Sequence, residues 1–265
     1  MWQYRYACYT DRGNSRHLNQ DSVVTLQIEG KDDSVFVCAV CDGMGGLKSG
    51  EKASGMMAYA VAAWVEKKLL PALNKGAGFL SFLQHELPAL IKREDTQINN
   101  YGKRIGAECG TTAVILALHD KEWAVVNVGD SRAYIHHGNE LEQITKDHSY
   151  VQMKMDAGEM TLEEAEKHPK RNVLTQCIGA GAFADPDWFS GTFEPGDAFL
   201  VCSDGFRHKL KQDELSVRLM PTNLVSKKEM ETLLSECADV MLEKGEKDNI
   251  SAVLVLPLEG GEPDA

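Results

Sequence analysis

The chain has 265 residues, 43% hydrophobic and 26% charged, with a formal net charge of −12 at pH 7. That suits a globular protein with a sizeable core, and the acidic balance speaks against a nucleic-acid or anionic-membrane surface, which needs clustered Lys and Arg. No stretch approaches the roughly 20 apolar residues that span a bilayer, and the first residues lack the apolar run of a signal peptide, so a cytoplasmic, soluble protein is expected.

Residues 35–41 (VFVCAVC) read as a strand buried on both faces, ending abruptly at Asp42-Gly43-Met44-Gly45-Gly46. Cys38 and Cys41 have redox-like or zinc-like spacing, but in a strand they point to opposite faces and read as core. The seven cysteines, an odd number without a disulfide framework, fit free thiols in a reducing compartment. A helix is predicted over 51–70, rich in Ala, Met and Leu, with Pro71 beyond it. A second is predicted over 79–104, with Pro88 as a candidate break. Residues 111–145 switch to short β-like runs punctuated by turn residues, which reads as an antiparallel meander. Residues 149–170 read as a polar surface excursion with a short helix at 162–167. Strands follow at 188–193 and 197–202, a helix at 226–243 and a last strand at 250–256. Residues 259–265 read as a frayed tail. Strands clustered apart from long helices indicate an α+β fold.

One device occurs three times. An apolar strand runs into an Asp beside a Gly at Asp42 (VFVCAVCDG), Asp130 (WAVVNVGDS) and Asp204 (AFLVCSDG). Asp248 precedes the last apolar strand, and Asp21 precedes Val23-Val24. Each alone reads as a turn. Together they place carboxylates on rigid strand ends, a cluster that would repel unless cations neutralise it. All these donors are oxygens, which favours Mg²⁺ or Mn²⁺ over Zn²⁺, and Gly43 lets a backbone carbonyl approach as a ligand.

The blocks Thr10-Asp11-Arg12-Gly13, Arg16, Asn19-Gln20-Asp21, Asp42-Gly43-Met44-Gly45-Gly46, Gly110-Thr111-Thr112-Ala113, Val128-Gly129-Asp130-Ser131-Arg132, Asn172-Val173-Leu174-Thr175, Cys202-Ser203-Asp204-Gly205 and Lys247-Asp248-Asn249-Ile250-Ser251 follow in order along nearly the whole chain. In this the sequence resembles the bacterial metal-dependent protein phosphatases of the type 2C (PPM) family.

The resemblance implies a four-layer α-β-β-α sandwich: two mainly antiparallel sheets flanked by helices, with a binuclear metal centre at the sheet edge. It implies a single catalytic domain over 1–258 with a flap at about 146–170. Asp42 would bridge two Mn²⁺ or Mg²⁺ ions and Gly43 would offer its carbonyl. Asp204 and Asp248 would hold the first metal and Asp21 would serve the second. Asp130, with Asp204, would form a third, weaker site. Arg16 would receive the substrate phosphate. The implied reaction is hydrolysis of phosphoserine and phosphothreonine in proteins by metal-activated water, with no phosphoenzyme. The implied partners are phosphorylated proteins and a cognate Ser/Thr kinase, and the chain is expected to act as a monomer.

Two departures stand out. Gln20 occupies a place where several eukaryotic members have an acid that ligates metal. Met44 stands where those members have a His proposed as general acid. His148 and His168 lie nearby in sequence but read as solvated loop residues.

A cysteine phosphatase is excluded by spacing, since Cys202 precedes Arg207 by four intervening residues rather than five. Leu47 spoils a faint P-loop likeness at 43–49. The alternatives are a pseudophosphatase that binds without turnover, which would be expected to have lost Asp42, Asp204 or Asp248, and a hydrolase of small phosphate esters.

Overall fold

The computed structural model describes residues 2–29, 34–44, 49–180 and 184–260. In chain order, β1 (Trp2–Asp11), β2 (Asp21–Glu29) and β3 (Ser34–Asp42) lead to α1 (Gly50–Trp64), a π-helical turn (Val65–Leu69) and α2 (Leu70–Leu73). Next come α3 (Phe79–Ile105), β4 (Gly110–Thr111), β5 (Ala113–His119), β6 (Glu122–Val128), β7 (Arg132–His137) and β8 (Glu140–Gln143). The remainder is α4 (Tyr150–Asp156), α5 (Leu162–Lys167), β9 (Ile178–Gly179), β10 (Asp187–Thr192), β11 (Ala198–Cys202), α6 (Gln212–Arg218), α7 (Lys227–Glu243) and β12 (Ile250–Glu259).

Two five-stranded antiparallel sheets form, with strand orders β1-β12-β11-β7-β8 and β10-β6-β5-β3-β2. The two-residue period of β3 shows why they stack. Val35, Val37, Ala39 and Cys41 enter a core shared with α1 and α3, while Phe36, Cys38 and Val40 enter a core between the sheets. Cys38 and Cys41 thus belong to different cores. On the other sheet, Leu200, Cys202, Leu254 and Leu256 pack against α6 and α7. The result is the four-layer α-β-β-α arrangement.

Local chemistry sets the element ends. Ser226 Oγ accepts the Glu229 N–H and starts α7. Thr161 and Glu164 close a capping box on α5, whose span is the one predicted. The π-helical turn sits just ahead of Pro71, whose ring would otherwise meet the carbonyl four residues back.

Several expectations are corrected. Pro88 does not break α3, which runs unbroken from Phe79 to Ile105. Burial of Leu83, Leu87, Leu90, Ile91 and Ile98 on one face outweighs the roughly 3 kcal/mol that an interior proline costs. The meander over 111–145 is divided: β5 and β6 pair in one sheet, β7 and β8 in the other, and the chain crosses between them at Gly129-Asp130-Ser131. The tail begins later than residue 259, because β12 continues to Glu259, paired with Trp2; residues 261–265 lie outside the described residues. Among the described residues no helix is long and apolar enough to cross a membrane.

Candidate metal centre

Antiparallel pairing brings the aspartate-bearing strand ends to one edge of the sandwich. Asp21 opens β2 and Asp42 closes β3, and the two are direct cross-strand partners. Asp204 follows β11 and Asp248 precedes β12, and those strands also pair antiparallel. Asp130 lies in the turn that crosses from β6 to β7. Asp42 feels the charges of Asp21, Asp204, Asp130 and Asp248, so all five aspartates predicted from sequence converge.

Burial, with charge from these neighbours, pushes the Asp42 carboxyl well above its usual range. Burial likewise raises Asp21 to about 7, with Asp204 and Asp248 adding to it. It raises Asp130 to about 7, with Asp204 adding and Arg207 opposing. Asp204 Oδ1 is buried with no hydrogen-bond partner, and neither buried Asp21 oxygen has one in good geometry, although the Ser251 and Ser203 hydroxyls lie close enough to oppose its rise. Poorly partnered, mutually repelling carboxylates are what a bound cation resolves.

The surrounding motif residues hold these groups in place. The Asp42 N–H donates to Thr112 Oγ1 at 3.0 Å, and the Asp42 carbonyl accepts from Thr111 Oγ1 and the Thr112 N–H. Thr112 Oγ1 also meets Ser131 Oγ at 2.8 Å, beside Asp130. Asn249 Oδ1 accepts the Gln20 N–H, and its Nδ2 donates to the carbonyls of Arg12 and Leu18. One amide therefore pins the loop that carries Arg16 and Asp21. Two glycines are required by close approach: a Cβ at Gly43 would collide with the carbonyls of Gln20 and Gly50, and one at Gly205 with the carbonyl of Asn249. Gly45 to Lys48, including the P-loop-like Leu47, lie outside the described residues.

Arg16 is not free. Its Nε and Nη2 donate to the two Asp248 oxygens at 3.1 and 2.8 Å, a bidentate pair that is partly exposed. Among the described residues no trio of His, Cys, Asp or Glu side chains is already drawn into a closed metal cage. Asp248 is turned to the guanidinium instead.

His148 does not fit its reading as a solvated loop residue. It is buried: Nδ1 accepts the Gly129 N–H at 3.2 Å and Nε2 lies 3.1 Å from Asp187 Oδ2. It fastens the root of the 146–170 excursion to the Asp130 turn. His168 stacks on Tyr150 with 5.5 Å between ring centroids.

Sequence reasoning missed three groups near the centre. Asp147 is gripped by Arg132 through two 2.7 Å bonds and by Arg207, which also donates to the Asp130 carbonyl. Burial opposes ionisation of Asp147, but the two arginines hold its carboxyl below the usual range. His208 and Glu246 lie beside Asp204. The one local signal was the four-residue spacing of Asp204 and His208, which puts both on one side of a helical turn. Burial pushes the Cys202 thiol up to about 12, so it is not a nucleophile.

The donor set is all carboxylate and carbonyl oxygen, and the orphaned buried oxygens fit hard divalent cations. The sequence profile of Protein phosphatase 2C matches residues 12–254, and the chain belongs to that family. Serine/threonine phosphatase stp of Listeria welshimeri is 33% identical over 258 residues, 93% of each chain. The solved serine/threonine phosphatase of S. agalactiae superposes with a TM-score of 0.82 at 29% identity, covering 97% of this chain and all of that one. The catalytic domain of serine threonine protein phosphatase PstP, solved with two manganese ions, superposes with a TM-score of 0.77 at 27% identity, covering 98% of this chain and all of that one.

Proposed function

We propose that this chain is a protein serine/threonine phosphatase that hydrolyses phosphoserine and phosphothreonine with two Mn²⁺ or Mg²⁺ ions. The observation that carries the reading is the convergence of five aspartates at one sheet edge, with buried oxygens of Asp21 and Asp204 left without a hydrogen bond in good geometry. Asp42 would bridge the cations and the Gly43 carbonyl would add a donor. Asp204 and Asp248 would hold one ion and Asp21 the other, with Asp130 and Asp204 lining a third, weaker site. When bound, the cations supply Lewis acidity that activates water at neutral pH and offsets phosphoryl charge.

The chain's own groups do the rest. The Arg16 fork, once released from Asp248, matches two phosphoryl oxygens and holds the ester in line. Asn249 keeps that arginine's loop against the Asp248 loop. Met44 has no proton to give, so protonation of the departing serine or threonine oxygen falls to water at the centre or to another residue. The 146–170 flap, anchored through His148 and Asp147, borders the site and bears on substrate choice. A Ser/Thr kinase is the counterpart such an activity requires, and we read the protein as a cytoplasmic monomer.

The test is phosphate release from a phosphothreonine peptide with Mn²⁺, then with excess chelator, beside Asp42→Ala and Asp204→Asn. Chelator-sensitive turnover that both variants lose supports the reading. Turnover that survives chelation, or none with any divalent cation in a folded sample that binds metal, would overturn it.

A further inference from the structure

His208 and Glu246 lie among the aspartates with no role assigned above. His208 Nε2 lies 3.4 Å from Asp204 Oδ2, and its Nδ1 lies 3.5 Å from Glu246 Oε2. Glu246 Oε1 accepts the N–H groups of Lys247 at 2.7 Å and Asp248 at 3.0 Å. A continuous chain of contacts therefore runs from the Asp204 carboxylate to the backbone of Asp248. It links the loop after β11 to the loop before β12.

We propose that His208 and Glu246 are a positioning pair that fixes Asp204 and Asp248 relative to each other for cation binding. The proposal rests on the reading of those two aspartates as metal ligands. Three observations support it. First, Asp204 Oδ2 faces the imidazole while Oδ1 is buried and unpartnered, so one oxygen is steered and the other kept open. Second, the His208 N–H donates to the Asp204 carbonyl at 3.0 Å, so imidazole and carboxylate sit on one closed turn. Third, Glu246 is 8% exposed, a carboxylate taken out of water whose Oε1 meets two backbone N–H groups, while its buried Oε2 has no hydrogen-bond partner and faces the imidazole at 3.5 Å. Both imidazole nitrogens already face carboxylate oxygens, which speaks for positioning and against His208 as a ligand in its own right. Partners of this kind orient metal-binding carboxylates, and their loss typically weakens metal binding about 10- to 100-fold.

The experiment is Mn²⁺ binding to the full chain by isothermal titration calorimetry. The proteins are the wild type, His208→Ala, Glu246→Ala, the double variant and Asp204→Asn. Each single alanine variant is expected to bind Mn²⁺ about 10- to 100-fold more weakly, with the double variant no weaker than the worse single, because the two act as one unit. Should the alanine variants fail to fold, Glu246→Gln carries the test. It keeps the size and an acceptor for the backbone while removing the charge that faces His208, and at least a ~10-fold loss is expected. Wild-type affinity in the His208 and Glu246 variants, beside a loss in Asp204→Asn, would overturn the pair and leave the centre standing. Wild-type affinity in Asp204→Asn as well would overturn the centre itself. Electron-spin-echo spectra of the Mn²⁺ protein with ¹⁵N-labelled histidine should show no directly bonded nitrogen. A bonded nitrogen that disappears in His208→Ala would make His208 a ligand and overturn the positioning role.

Discussion

Asp21 and Asp42 stand directly opposite each other across the β2–β3 ladder, the first residue of one strand against the last of the other. Directly opposed like charges destabilise an antiparallel pair, and here both are raised above the ordinary carboxylate range. The fold thus holds a repulsion that only protons or cations relieve.

Replacing Asp21 with Asn removes one side of that repulsion. In chelator at pH 8, Asp21→Asn should unfold at higher urea than the wild type, by about 1–3 kcal/mol. The same variant should lose most Mn²⁺-dependent phosphate release. A variant no more stable than the wild type in chelator would show that the pair carries no strain.

Stability of the chelated protein should fall as pH rises from about 4 to about 7. Asp21 and Asp130 titrate at about 7 in the folded protein, against roughly 4 for an unfolded Asp. The folded state therefore binds more protons in that window, which makes stability decline as pH rises through it. His208 is also raised, by Asp204 and Glu246 against the effect of burial, so its contribution is lost as pH rises past its ordinary value near 6.5, from the top of that window upward. Asp147 is lowered and Glu246 sits at about 2, so their contributions are lost only at more acid pH. Urea midpoints at pH 5, 6, 7 and 8 test this, and saturating Mn²⁺ should abolish the decline.

Arg16→Ala should raise KM for a phosphothreonine peptide about 10-fold, with a smaller change in kcat, because the fork binds phosphate in both ground and transition state. Initial rates across substrate concentration at saturating Mn²⁺ separate the two constants. A change confined to kcat would remove ground-state phosphate binding from its role.

Gly205→Ala should destabilise the protein by about 1–3 kcal/mol and weaken Mn²⁺ binding together. The added methyl meets the Asn249 carbonyl, so the loops bearing Asp204 and Asp248 must part. Denaturant unfolding and Mn²⁺ titration check both effects.

The strand-end aspartates were legible because an apolar run ending in Asp is a local pattern. The spans of α5 and α7 were legible from local sequence too. The strand β1 was not read, although Trp2 and Tyr4 alternate inward, because charged and aromatic residues blur its period. The division of the 111–145 strands between two sheets was not legible either. Strands buried on both faces carry no mark of which neighbour they choose. His208 and Glu246 escaped notice because 37 residues of chain separate them and only tertiary closure makes them neighbours.

The order of β1-β12-β11-β7-β8 has a consequence for how the aspartate cluster assembles. β12, with Asp248 at its threshold, is inserted between β1 and β11, the first strand of the chain and one formed just before it. During synthesis, four of the five aspartates leave the ribosome well before the strand that aligns the fifth. The whole cluster forms only when β12 docks between β1 and β11, so Asp248 joins the other four aspartates through pairing with strands far from it in sequence.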